Sequence, residues 1–257
     1  MIERHRARKR FGQNFLVDRF CIQRIVDAID PQPSERIVEI GPGLGALTNA
    51  LLERVACLEV IEIDRDLAER LAQQHSSSRL RLHTADALRF DYAALGPQLR
   101  VVGNLPYNIS SPLLFRLIEC APTIVDIHVM LQKEVVDRMI AVPGSPDYGR
   151  LTVMLGYHFE VERLFRVSAS AFRPQPKVES AFARLRPRSP RGLCVRGEAL
   201  FARIVSAAFG QRRKTLRNAL SGLVSEEMLR AEGFDPQARG ETLSVEQFVT
   251  LANAVSD

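Results

Sequence analysis

Four consecutive residues, Asn104-Leu105-Pro106-Tyr107, carry groups that could do chemistry on an amine. The amide oxygen of Asn104 and a main-chain carbonyl of the Leu105–Pro106 turn can accept the two hydrogens of an exocyclic amino group on a nucleobase. The nitrogen, otherwise delocalised into the ring, can then pyramidalise and turn its lone pair towards an electrophilic methyl group. Proline suits such a turn because it fixes φ and donates no hydrogen bond, and Tyr107 can stack on the face of the base. Catalysis of this kind comes from alignment and from stabilising the positive charge that grows on nitrogen, without a dedicated strong base.

A second set is the run Glu39-Ile40-Gly41-Pro42-Gly43-Leu44-Gly45. Glycines there let the backbone turn sharply and close on a ligand where a side chain would clash. Gly41-x-Gly43-x-x-Ala46 also satisfies the dinucleotide fingerprint. Glu62, 21 residues after Gly41, is placed to accept hydrogen bonds from both hydroxyls of a ribose, so NAD(P) and S-adenosylmethionine both remain open at this point. Asp86 can read an adenine amino group or hold an ammonium. The surplus of Glu39, Glu62, Asp64 and Asp86 suits a cationic sulfonium better than a pyrophosphate, which prefers a helix N-terminus with little negative charge around it.

These groups need strand tips to hold them, and the pattern supplies them. Strands are predicted at Arg36–Ile40, 57–63, 80–83, 100–103 and 124–131, alternating with crossover helices at 46–55, 65–75 and 111–120. That alternation is the signature of a doubly wound, mostly parallel α/β sheet, with its ligand crevice at the carboxyl ends of the strands. A helix from 132 to 141, a turn at 143–147 and strands at 160–167 and 180–185 follow, making a Rossmann-like sheet of about seven strands. The composition shifts to Pro, Ser, Gly and Arg at 186–192, and the remainder reads as a small, all-helical C-terminal domain. Phe201–Leu220 reads as an amphipathic helix, with Phe209, Leu216 and Leu220 on one face and Arg213 and Arg217 as an i, i+4 pair on another.

The chain of 257 residues is 46% hydrophobic and 25% charged, which excludes a disordered, collagenous or disulfide-scaffold protein. Its formal net charge of +5 is segregated: residues 1–10 carry +4, residues 180–220 carry +9 and the rest carries −8. Two basic blocks around an acidic body point to a polyanion at one place and a neutral or cationic ligand at another. Cys21, Cys57, Cys120 and Cys194 form no C-x-x-C pair, which argues against zinc and disulfides and for a reducing cytoplasm. The charged first ten residues have no apolar signal region, and no apolar run is long enough for a membrane span.

The chain resembles the ribosomal RNA adenine dimethyltransferases, and within them the small-subunit branch. Six blocks in order carry the resemblance: Lys9 through Leu16, Glu39 through Thr48, Val102 through Ser110, Gln132 through Val135, Phe172 through Ser180, and Phe209 through Leu216. It implies methyl transfer from S-adenosylmethionine, without a metal, to the N6 amines of two adjacent adenosines in a hairpin loop near the 3′ end of 16S rRNA. The RNA would sit in the small subunit or its precursor. The implied cofactor residues are Asn14 and Leu16 over the methionine end, Gly41 at the methionine part, Glu62 at the ribose, Asp86 at the adenine and Asn104 at both cofactor and target. Phe172 would sandwich the target base against Tyr107, although its own surroundings read more simply as core. Residues 1–186 would form the methyltransferase domain, with 1–12 a mobile basic arm. Residues 187–257 would form the RNA-binding domain, with Arg212, Arg213, Lys214 and Arg217 on the RNA. Gln175 and Gly156 depart from the family pattern without touching these roles. A cytoplasmic monomer with a part in subunit biogenesis is expected. The alternatives are a large-subunit (23S) rRNA adenine methyltransferase, an NAD(P) oxidoreductase and a non-catalytic RNA-binding assembly factor.

Overall fold

The computed structural model describes residues 8, 12–188, 194–211 and 213–255. A seven-stranded sheet runs in the order β4 (Leu80–Thr84), β3 (Leu58–Glu62), β2 (Arg36–Ile40), β5 (Leu99–Asn104), β6 (Ile124–Gln132), β9 (Ser180–Pro187) and β7 (Phe159–Val167). The β3–β4, β2–β3, β2–β5 and β5–β6 pairs are parallel and β6–β9 is antiparallel. β3 is buried along its whole length and β2 is exposed only at Arg36, as expected of parallel strands covered on both faces. The chain runs outward from β2 through β3 to β4 and then returns to β5 on the other side of β2. The strand order therefore reverses between β2 and β5, and their carboxyl ends bound a crevice. Ile40 stands opposite Gly103 there, and a Cβ on Gly103 would come within 2.6 Å of the Ile40 carbonyl oxygen.

The expected strands and the helices α2 (Ala46–Leu52), α3 (Arg65–Gln74), α4 (Ser110–Glu119) and α5 (Lys133–Met139) are all present. Two helices had no expectation. α1 (Arg19–Ile29) is capped by Asp18, whose side chain accepts from the Cys21 amide. It packs Ile25, Val26 and Ile29 inward, but the contiguous Phe20-Cys21-Ile22 blurs its period. α6 (Arg150–His158) is buried at five successive positions, Leu151 to Leu155, so it shows no polar face to detect. A short antiparallel pair joins β1 (Phe15–Leu16) to β8 (Phe172–Arg173).

At the far end of the sheet Arg100 ties β5 to β6 and to the end of α1. It forks onto Asp126 at 2.9 and 2.8 Å, bonds the Ile29 carbonyl at 2.6 Å and reaches Glu35 at 2.5 Å. A buried fork of this kind with every donor engaged stabilises position more than it adds net energy.

The chain packs into two units. One comprises its described residues up to Val136 together with Val161–Pro187; the other comprises Asp137–Glu160 and the described residues from Arg188 onward. The boundary expected near residue 187 is one of three crossings. The other two carry α6 into the second unit, where Gly156 faces Val245 and the Tyr157 ring packs on Phe201 at 4.8 Å. That unit holds α7 (Glu198–Gly210), α8 (Leu216–Ala219), α9 (Glu226–Ala231) and α10 (Val245–Val255). The single helix expected over Phe201–Leu220 is broken, because α7 ends at Gly210 and a turn bonds the Lys214 amide to the Gln211 carbonyl. Leu216 and Leu220 still face the core, but Arg213 lies in the turn and Arg217 in α8, so they do not share one helical face.

Candidate active site

A cavity of about 260 Å³ opens at the reversal of strand order and is confined to the first unit. Its wall is made by residues 12–16, the glycine loop, Glu62, Asp86 and the Asn104–Ile109 turn. Asn14, Leu16, Gly41, Glu62, Asp86, Asn104, Leu105, Pro106 and Tyr107 all line it, from five separate segments of sequence. Asp64 does not. It caps α3 through the Asp66 amide and takes hydrogen bonds from Arg8 at 2.7 Å and Gln13 at 3.1 Å. Arg8 also pairs with Asp66, so Arg8 and Gln13 are both held at the start of α3. The other residues of the expected mobile arm up to Phe11 lie outside the described residues.

Positive φ in the glycine loop calls for glycine. Gly41 and Gly43 sit at φ +68° and +58°, and a Cβ on Gly43 would come within 2.9 Å of the Phe15 ring. The amides of two loop glycines are already committed: Gly41 donates to the Ile61 carbonyl at 2.9 Å and Gly43 donates to Glu62 Oε2 at 3.2 Å. A pyrophosphate would want those donors free. Moreover, the described wall carries Glu39, Glu62 and Asp86 but no Lys, Arg or His. Donors spent and carboxylates gathered suit a ribose and a cationic group, not a dinucleotide.

Electrostatics sharpen this. Burial pushes the Glu39 carboxyl up to about 8, the neighbouring Glu62 charge adds to the rise, and a 2.6 Å hydrogen bond from Thr48 opposes it. Glu62 is likewise raised by burial, against hydrogen bonds from the amides of Asp64 and Gly43. Neither group has a positive partner among the described residues, and a bound cation would supply one.

At the turn, Asn104 Nδ2 donates to the Asn14 carbonyl at 2.9 Å. That bond fixes the amide plane and leaves Oδ1 as an acceptor with no donor among the described residues. The Pro106 carbonyl is occupied by the Ile109 amide and the Ser110 hydroxyl, both at 3.1 Å. The Leu105 amide is held by the Met130 carbonyl at 3.1 Å, and its own carbonyl is the acceptor left in the turn. Of the two carbonyls considered from sequence, the structure therefore leaves that of Leu105. Tyr107 is half-buried, and burial raises its hydroxyl pKa. Its OH lies 2.7 Å from the hydroxyl of buried Ser180, which steadies the ring. Sequence reasoning gave Ser180 no role, and only its place at the end of the Phe172–Ser180 block marked it.

Phe172 is not at the cavity. It is fully buried in the core cluster with Leu16, Met130 and Phe182, and it stands opposite Leu16 in the β1–β8 pair. Alternation along the two-residue strand turns Phe172 inward and Arg173 outward, so the base sandwich expected with Tyr107 is absent and Phe172 instead backs the wall residue Leu16. On the second unit, Arg213 and Lys214 are exposed without an ion-pair partner among the described residues. Arg217 meets Glu226 at 3.4 Å, and Arg212 lies outside the described residues.

The family model for ribosomal RNA adenine dimethylase matches residues 4–257. The ribosomal RNA small subunit methyltransferase A of Aromatoleum aromaticum is 56% identical over 98% of this chain and 95% of its own length. That of Thiobacillus denitrificans is 57% identical over 96% and 97%. A crystallised dimethyladenosine transferase from Plasmodium falciparum is 25% identical with a TM-score of 0.76, covering 92% of this chain and 95% of that one. The crystallised 23S rRNA methyltransferase ErmE is 30% identical with a TM-score of 0.72, covering 95% and 100%.

Proposed function

The chain belongs to the ribosomal RNA adenine dimethylase family, and on that premise we propose how its residues act. It is a methyltransferase that uses S-adenosylmethionine to dimethylate adenine N6 in the RNA of the small ribosomal subunit, at two adjacent adenosines in a hairpin loop near its 3′ end. The cofactor, when bound, supplies an electrophilic methyl on sulfonium. Glu62 accepts hydrogen bonds from the ribose hydroxyls, Asp86 reads the adenine amino group, and Asn14, Leu16 and Gly41 wall the methionine end. Asn104 Oδ1 and the Leu105 carbonyl accept the two amino hydrogens of the target base, while Tyr107, steadied by Ser180, stacks on its ring. Positive charge growing on the target nitrogen is stabilised by those two oxygens. After one methyl has been added, a single acceptor suffices, so the same turn serves the second transfer.

The observation that carries this reading is the Asn104 amide, clamped through Nδ2 with its oxygen free at the cavity wall. Large-subunit RNA is the alternative substrate, and ErmE bears that name, but the small-subunit relatives are much the more similar. No described helix is long and apolar enough to cross a membrane, and a cytoplasmic monomer acting during subunit assembly fits the reaction.

Unmodified small and large subunits incubated with methyl-labelled S-adenosylmethionine, followed by mass spectrometry of the RNA, test the proposal. Dimethyladenosine is expected in the small subunit, and Asn104→Ala should lower kcat by about 10²–10³. Methylation of large subunits alone would overturn the substrate assignment.

A further inference from the structure

Among the exposed large hydrophobic residues of the described chain Phe20 stands apart, at 90% exposed against 65% for Val142, the next. It is the second residue of α1, where a polar side chain would serve the helix as well or better. The helix buries Ile25, Val26 and Ile29, and Phe20 lies on the outward stripe with Gln23, Arg24 and Asp27. Packing gives it no role. Val17, just ahead of the helix cap, is exposed beside it. Leu16 lines the cavity, so Phe20 is four residues from the cavity wall, a reach of at most about 14 Å.

The surroundings are cationic. Arg19 precedes Phe20, and Arg24 is one turn on, its guanidinium covering the Phe165 ring at 3.9 Å. Neither forms an ion pair among the described residues. The two carboxylates of this stretch are occupied, Asp18 by the Cys21 amide and Asp27 by Gln23 at 2.8 Å and by Arg54 at 3.7 Å. Arg173, opposite Phe15 in the β1–β8 pair, is exposed, and among the described residues its guanidinium bonds only to the main-chain carbonyls of Ser170 and Phe172.

We infer that Phe20 is a stacking platform for an unpaired RNA base near the target nucleotide, with Arg19, Arg24 and Arg173 facing the adjoining phosphates. This rests on the RNA reading of the active site. An aromatic face accepts any base, and interleaved arginines neutralise the backbone, which is the chemistry of single-strand binding. One Phe and one Val offer far less apolar area than the roughly 1,000 Å² that a stable protein partner needs. Three unpaired arginines would also repel a second copy of the same patch.

The test measures affinity for an unmodified RNA hairpin carrying the target loop, in the presence of S-adenosylhomocysteine, for the full chain and for Phe20→Ala, Phe20→Leu and Phe20→Tyr. Ala and Leu should weaken RNA binding roughly tenfold or more, and Tyr should keep it. Melting temperature and S-adenosylhomocysteine affinity should be unchanged in all three. A Leu variant that binds RNA as the wild type does would overturn the stacking role. Unchanged RNA binding by the Ala variant, with altered self-association in sedimentation, would assign the patch to a second copy instead. Failure of the unaltered chain to bind RNA would remove the premise itself, an outcome distinct from failure of the variants alone.

Discussion

Glu39 shows how far one residue's setting can move its chemistry. Held at about 8 chiefly by burial, its carboxyl stays protonated in the folded chain at a pH where the unfolded chain has released the proton. Between the ordinary value of 4.5 and about 8 the native state binds one more proton than the unfolded state, so Glu39 lowers stability as pH rises. The slope is about 1.4 kcal/mol per pH unit in mid-window. Glu39→Gln keeps an oxygen to accept from Thr48 and removes the titration. Thermal unfolding of the ligand-free chain from about pH 5 to about pH 8 should therefore fall more steeply for the wild type than for the variant. Parallel curves would show that Glu39 is ionised throughout. The charge of a residue was legible in the sequence, but its environment was not. Glu39, Glu62 and Asp86 were recognised as an acidic set, whereas Asp64 was drawn off by Arg8 and Gln13 through contacts more than 50 residues apart. Phe172 failed as a base partner for a similar reason, since strand alternation in β8 gave it to the core.

At the scale of elements, strands buried on both faces announce themselves as apolar runs, and the switch point between β2 and β5 followed from their alternation with helices. Elements whose signal is mixed did not. α1 carries exposed Phe20 in its first turn, α6 is buried at five successive positions, and the break after α7 depends on one glycine and the turn behind it. β1 was equally hidden, because a two-residue strand has no period. Yet β1 closes one side of the cavity, and its fit against the glycine loop yields a prediction. Gly43→Ala places a Cβ 2.9 Å from the Phe15 ring at φ +58°, and the left-handed conformation alone costs about 1–2 kcal/mol for a side chain. The loop or β1 must shift, so S-adenosylhomocysteine affinity should fall by about tenfold or more. Calorimetric titration measures this directly. Unchanged affinity would mean that β1 does not set the cavity wall. Circular dichroism should remain that of the wild type, since the sheet itself is untouched.

For the whole molecule, the segregated charge now has a structural location for each sign. Glu39, Glu62 and Asp86 of the body converge on a cavity whose described wall holds no Lys, Arg or His, while the second unit presents Arg213 and Lys214 without an ion-pair partner among the described residues. RNA binding should consequently depend steeply on salt, because every phosphate neutralised releases counterions. S-adenosylhomocysteine binding should not, because its cavity exchanges few ions with solvent. The slope of log affinity against log salt, measured with the target hairpin, resolves individual residues. Arg213→Ala and Lys214→Ala should each reduce its magnitude by about 1. Arg217→Ala should reduce it less, since its guanidinium is shared with Glu226, which in turn holds Arg230 at 2.8 Å. Had the two arginines lain on one helical face, as their spacing suggested, their contributions would be equal. The turn between α7 and α8 makes them unequal, and identical slopes for the Arg213 and Arg217 variants would contradict that difference.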